Sequence, residues 1–265
     1  MKSCVTFRRA FAALIIALAA LLVLASCNKQ PSLAKQPSPA KQKPSASLLA
    51  ADIAKLGFIP GQPVTMPPGF KAECTEASNN GKGYDFADGS YVVHSDGTLS
   101  FFMLNSTKSL RPGGVRPGMT EQQAKAQREQ AAKYDKEAKQ DEKIIGPVVP
   151  PEQRSTLGFI TWDKQDLFSM TLDDVIKAYG SPSSAIPEPM KLTMEFGMNI
   201  PPFEYYLRTI EYLFEFDKDQ YCFVRFVFCK FGESDELVDG IVMLPWQPSD
   251  EQPVSGYKIY KWPKP

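Results

Sequence analysis

The chain has 265 residues and balances 30 basic side chains against 30 acidic ones. Residues 1–47 hold seven basic side chains and no acidic one, so residues 48–265 carry 23 basic against 30 acidic groups. An acidic body of that size excludes nucleic acid as a partner, because phosphate contacts need a basic surface. It is long enough for one large or two small domains, and its single histidine, His94, excludes a metal site built on two histidines.

Residues 1–26 begin with Lys2, Arg8 and Arg9, continue through an apolar run from Ala10 to Ala25, and end in small residues. A basic start, an apolar middle and a small-residue end form a secretory signal. The apolar run falls short of the roughly 20 residues that a spanning helix needs. Leu24, Ala25, Ser26 and Cys27 close it, and this tetrad resembles the lipobox of bacterial lipoproteins. The resemblance implies that Cys27 becomes the mature N-terminus and carries lipid on its sulfur and its amine. Several acyl chains hold a protein on a membrane where one chain holds it only marginally. In enterobacterial lipoproteins an Asp after the cysteine retains the protein in the inner membrane; by the same resemblance, Asn28 points to the outer membrane, facing the periplasm.

Residues 27–47 follow as a tether, which contains Asn-Lys-Gln-Pro-Ser, Ala-Lys-Gln-Pro-Ser and Ala-Lys-Gln-Lys-Pro-Ser in succession. Apart from Leu33 it lacks large apolar residues and cannot bury a core. Its prolines favour an extended conformation that reaches about 60 Å at ~3.1 Å per residue.

The first folded section, residues 48–115, predicts a helix from Leu48 to Lys55 stopped at Gly57, then a β-rich part. Asp88-Gly89 and Asp96-Gly97 separate three apolar runs, Tyr84–Phe86, Tyr91–Val93 and Leu99–Leu104, which predicts a three-stranded meander. Asp85, Asp88 and Asp96 are read as turn residues rather than calcium ligands. His94 is read as a strand-end residue. Residues 118–145 predict a long polar helix starting at Glu121, with Thr120 and Gln123 as a capping box and mostly alanine as its apolar content. Gly146-Pro147 and Pro150-Pro151 then break the chain.

Residues 153–246 predict an α+β domain. Thr171 caps a helix from Leu172 to Tyr179, Asp174 completes the box, and Gly180 with Pro182 stops it. Strands follow at Arg208–Phe216, Tyr221–Phe231 and Leu237–Leu244. The second is apolar on both faces except for Arg225 and Lys230, which makes it the middle strand. The expected fold class is therefore α+β: a helix packed on a three-stranded antiparallel meander, preceded by the small hairpin-rich section and the polar linking helix. Residues 247–265 read as a proline-rich tail. Ser169-Met170-Thr171-Leu172-Asp173-Asp174-Val175 with Tyr179-Gly180-Ser181-Pro182 resembles the Gly-Met-Thr…Val…Gly-x-Pro signature of the SmpA/OmlA lipoproteins, small subunits of the outer-membrane barrel-assembly machinery. Ser169 stands where that family has glycine, and the loop before the sheet is longer. The resemblance implies a non-catalytic protein that binds other envelope proteins and lipid.

Cys74, Cys222 and Cys229 remain in an oxidising compartment. Cys222 and Cys229 share one strand and point to opposite faces, over about 20 Å apart, so they cannot pair. Two readings stand side by side: a disulfide from Cys74 to one of them, with Cys74–Cys229 as the candidate, or three reduced buried thiols. No cofactor or metal is implied, and no catalytic residue stands out. The expected function is a lipid-anchored, non-enzymatic envelope protein with the membrane and another envelope protein as partners. The alternatives are a carboxylate-dependent hydrolase of cell-wall or surface polymers, and a small-ligand-binding lipoprotein. The aromatics Tyr205, Tyr206, Tyr212, Tyr221, Phe223, Phe226 and Phe228 crowd one sheet, whose second face needs a cover.

Overall fold

The computed structural model describes residues 46–78, 81–106, 114–141, 149–161, 164–197, 199–249 and 253–263. The chain divides into two compact units. The larger comprises residues 44–129 and 144–265 and holds all the described strands; of the other, the described residues are 130–141. Leu24, Ala25, Ser26 and Cys27 lie outside the described residues, as does the tether up to residue 45.

Three helices are described: α1 (Ala46–Lys55), α2 (Glu121–Asp141) and α3 (Leu172–Tyr179). The strands are β1 (Glu73–Ser78), β2 (Gly81–Phe86), β3 (Gly89–His94), β4 (Leu99–Asn105), β5 (Met190–Met194), β6 (Phe203–Asp217), β7 (Gln220–Phe231), β8 (Leu237–Trp246) and β9 (Ile259–Lys261). They form one sheet in the order β1-β2-β3-β4-β8-β7-β6-β5, with β9 added beside β6. All pairs are antiparallel except β6 with β9.

This corrects the expected fold class. The anticipated strands exist as β6, β7 and β8, and β7 lies between the other two, as its two apolar faces require. They are not a free meander under one helix, however. β4 pairs with β8, Phe102 opposite Met243, so the hairpin-rich section and the C-terminal section build a single nine-stranded sheet.

The alternation of β6 and β7 decides where the core sits. Ile210, Tyr212 and Phe214 on β6, with Cys222, Val224, Phe226 and Phe228 on β7, face one side and are buried. Period-two alternation sends these residues to one face and their neighbours to the other. Leu49, Ala50 and Ile53 of α1 and Val175, Ala178 and Tyr179 of α3 cover that face. Towards β4, Phe58 stacks on Phe102 with ring centroids 3.9 Å apart.

Helix α3 forms where the capping chemistry places it. The Thr171 hydroxyl accepts from the Asp174 N–H, and the Asp174 carboxylate accepts from the Thr171 N–H at 3.0 Å. The carboxylate also accepts from the Thr171 hydroxyl, and the bonds from the Thr171 N–H and hydroxyl hold the Asp174 carboxyl below its ordinary value. At the other end, the Tyr212 hydroxyl donates to the Gly180 carbonyl at 2.7 Å, and the Tyr260 hydroxyl donates to the Ser181 carbonyl. Two core tyrosines thus satisfy carbonyls just past the helix end.

The outer edge of β6 is covered in three pieces. β5 pairs with residues 203–207 and β9 with residues 213–215. Between them sits the buried Ser183: its N–H donates to the Glu211 carbonyl, its hydroxyl accepts from the Leu213 N–H at 2.6 Å, and its carbonyl accepts from the Lys258 N–H. The tail expected to be merely proline-rich is therefore, over residues 253–263, a strap folded back on the sheet.

Candidate functional site

The second face of the sheet answers where the remaining aromatics go. At one end Phe203, Cys229 and Phe231 are buried with Ala126 of α2, and Met119 packs beside them. The capping box that starts α2 is present: the Thr120 N–H donates to Gln123 Oε1 at 2.9 Å, and the Thr120 hydroxyl accepts from the Gln123 N–H. Gln123 also donates to the Pro201 carbonyl at 2.8 Å, fastening the helix start over the sheet. At the other end Leu213, Tyr221 and Phe223 are covered by Trp246, Val254 and Tyr257. Between the two clusters Arg225 of β7 pairs with Glu211 of β6, its direct cross-strand neighbour.

The cysteines lie apart. Cys74, Cys222 and Cys229 are buried thiols, none in a disulfide, which corrects the candidate Cys74–Cys229 bridge. The topology gives the reason. Cys74 is on β1 and Cys229 on β7, with four strands between them. Five inter-strand steps of about 4.8 Å far exceed the ~7 Å that a disulfide allows between α-carbons. Burial pushes the thiols of Cys222 and Cys229 well above their ordinary value. Neither has the depressed pKa of a reactive cysteine.

The three turn aspartates separate into two roles. Asp96 accepts from the Thr98 hydroxyl and N–H inside its own hairpin, and both bonds hold its carboxyl below the ordinary value. Asp88 instead reaches across to accept from the N–H groups of Leu157, at 3.1 Å, and Gly158. Burial outweighs those donors and raises the Asp88 carboxyl above its ordinary value. Among the described residues no cluster of three or more His, Cys, Asp or Glu side chains could hold a metal ion.

Asp88 lines a cleft of about 330 Å³ whose wall includes Asp85, Ser90, Asn105, Ser106 and Arg154. Its floor needs glycine at position 89, where a Cβ would lie 2.0 Å from the Met103 carbonyl oxygen. Arg154 forms an ion pair with Glu73 of β1. The polar groups of Asp88 and Arg154 thus pin the segment around residues 154–158 against the β1–β4 side of the sheet. His94 ends β3, about 17 Å along the strand from Gly89 at ~3.4 Å per residue, so it does not join the cleft. Asp88→Ala is expected to cost about 1–3 kcal/mol, because the Leu157 N–H loses its buried acceptor. Asp88→Asn keeps an oxygen there and should cost less. A carboxyl raised in the native state adds stability at low pH that is lost as pH rises through its native value. The Asn variant should therefore gain on the wild type as pH rises above about 4. Urea midpoints across that range check both statements.

Sequence reasoning missed the edge strands β1 and β5 and the short β9. The signal for β5 is Met190-Lys191-Leu192-Thr193-Met194, an alternating run inside the long loop expected before the sheet. Among the described residues, no helix is long and apolar enough to cross a membrane. Comparison with protein-family models, with curated proteins and with solved structures found no match.

Proposed function

We propose that this protein is a lipid-anchored bacterial envelope protein that acts by binding another envelope protein. The observation that carries this reading is the tetrad Leu24-Ala25-Ser26-Cys27, placed at the end of an apolar run that begins after Lys2, Arg8 and Arg9. Cys27 takes the acyl chains, and the outer membrane facing the periplasm is the proposed location. The folded body supports the reading in one respect: α1 starts at Ala46, which is fully buried. A segment of about 18 residues, reaching roughly 55 Å if extended, thus separates the anchor from the body and lets it meet a partner away from the lipid surface.

Intact-mass analysis of membrane-extracted protein tests the proposal. The expected species begins at Cys27 and carries several acyl chains, whereas Cys27→Ala yields an acyl-free chain that retains residues 1–26. A wild-type protein of unmodified mass in the soluble fraction would overturn the anchor. If the anchor holds but cross-linking in membranes recovers no reproducible protein neighbour, the binding role is refuted.

A further inference from the structure

Strand β5 closes one end of the sheet, and among the described residues no strand pairs with its outer edge. Open edges invite pairing with another chain, and proteins blunt them with bulges, prolines or outward lysines. The opposite end is treated in that way: β1 carries a register irregularity between Cys74 and Glu76. β5 runs without one from Met190, opposite Leu207, to Met194, opposite Phe203. Its one lysine, Lys191, is drawn back along the sheet to Glu204 at 2.7 Å and so does not guard the edge.

The residues of β5 are arranged symmetrically about Leu192. Met190 and Met194 stand two places either side of it, and Lys191 and Thr193 one place either side. Met190, Leu192 and Met194 are half-buried, while Lys191 and Thr193 are exposed. We propose that β5 pairs antiparallel with β5 of a second copy of this chain, about a two-fold axis through Leu192. Such an interface is self-complementary, as a two-fold contact requires. Met190 lies opposite the second copy's Met194, and Leu192 lies opposite its own copy, giving a continuous apolar strip on one face. On the other face Lys191 lies opposite Thr193 of the second copy.

Charge is complementary in the same register. Glu195, exposed just past β5, becomes the diagonal neighbour of the second copy's Lys191. The two lysines also come diagonal to each other, but each is bracketed by Glu204 of its own chain and Glu195 of the other. Tyr206, 41% exposed, lies on β6 opposite Lys191 and adds an aromatic ring beside that lysine. A five-residue pairing buries less than the roughly 1,200 Å² of a standard stable interface. The dimer is therefore weak when dilute and is best read by trapping. This inference stands apart from the lipid anchor, since it rests on the strand alone.

The test uses the full chain carrying Leu192→Cys, oxidised with copper–phenanthroline and run on a non-reducing gel. Directly opposed strand residues place their β-carbons about 4.5–5.5 Å apart, close enough for a disulfide after a small adjustment. The expected result is a dimer band that forms at least about tenfold faster than with Val92→Cys, an exposed position on β3 away from this edge. Adding Thr193→Lys sets a lysine against the second copy's Lys191 and should slow the cross-link roughly tenfold, as two symmetric like-charge contacts. Mixing Lys191→Cys chains with Thr193→Cys chains traps the same register through exposed positions that the fold tolerates. A Leu192→Cys rate no faster than that of Val92→Cys, or indifference to Thr193→Lys, would overturn the proposal. So would a cross-link to a different protein.

Discussion

Trp262→Ala is expected to lower the stability of the folded body by about 3–5 kcal/mol. Only 6% of Trp262 is exposed. Its ring meets Phe214 edge-on with centroids 5.3 Å apart, and its backbone N–H donates to the Glu215 carbonyl at 3.0 Å. Truncation leaves a cavity over Phe214 in a close-packed core that relaxes only in part. Against a total stability of roughly 5–15 kcal/mol for an ordinary domain, that is a large share. Deleting the chain from Pro253 should be worse. It also takes the Tyr260 hydroxyl from the Ser181 carbonyl and the Lys258 N–H from Ser183. The urea midpoint is the measurement, with Ile259→Ala as the control. Ile259 lies in the same strap, on β9 three residues before Trp262, but is 38% exposed, so its loss should cost under about 1 kcal/mol. If Trp262→Ala changes the midpoint no more than that control, the strap is not docked.

The contrast between this strap and the hairpins shows what a single sequence carries. Asp88-Gly89 and Asp96-Gly97 specify turns through the backbone of a few neighbouring residues, and the meander of β2, β3 and β4 is where those signals put it. Thr171, Asp174 and Gly180 likewise mark the ends of α3 by chemistry within one turn. β9 has three residues and alternates exposed, buried, exposed, too short a pattern to stand out beside prolines. Its partner on β6 lies 46 residues away, Ile259 opposite Leu213. The pairing of Phe102 with Met243 is more distant still. Apolar alternation says that a strand has a buried face, but not which neighbour it takes, so the merging of two sections into one sheet had no local signature. The same gap left a Cys74–Cys229 bridge open until the strand order put the two thiols far apart. The candidate anchor is the reverse case: Cys27 and the residues before it are read from sequence alone. The β5 edge required both, a register from the fold and a palindrome from the residues.

Arg225 and Lys230 break the apolar pattern of β7, and the fold gives Arg225 a partner. Its Nε donates to Glu211 Oε1 at 2.8 Å, and its Nη2 reaches the same oxygen. The two side chains are 9% and 14% exposed, so the pair is largely withdrawn from water. Breaking such a pair from one side leaves a desolvated charge. Arg225→Met is therefore expected to cost about 3–5 kcal/mol, nearer the lower figure because Glu211 keeps some access to solvent. Glu211→Leu alone should cost a similar amount. The double variant removes both charges and fills the space with apolar groups between Val242 and the neighbouring strand. Desolvation then no longer opposes folding, and the double variant should return to within about 1 kcal/mol of the wild type or exceed it. Chemical denaturation of the four chains gives the coupling energy directly. Two single losses that simply add in the double variant would mean that Arg225 and Glu211 act independently, each held by packing. A rescued double variant would mean that the charges contribute no net stability beyond what apolar side chains supply in their place.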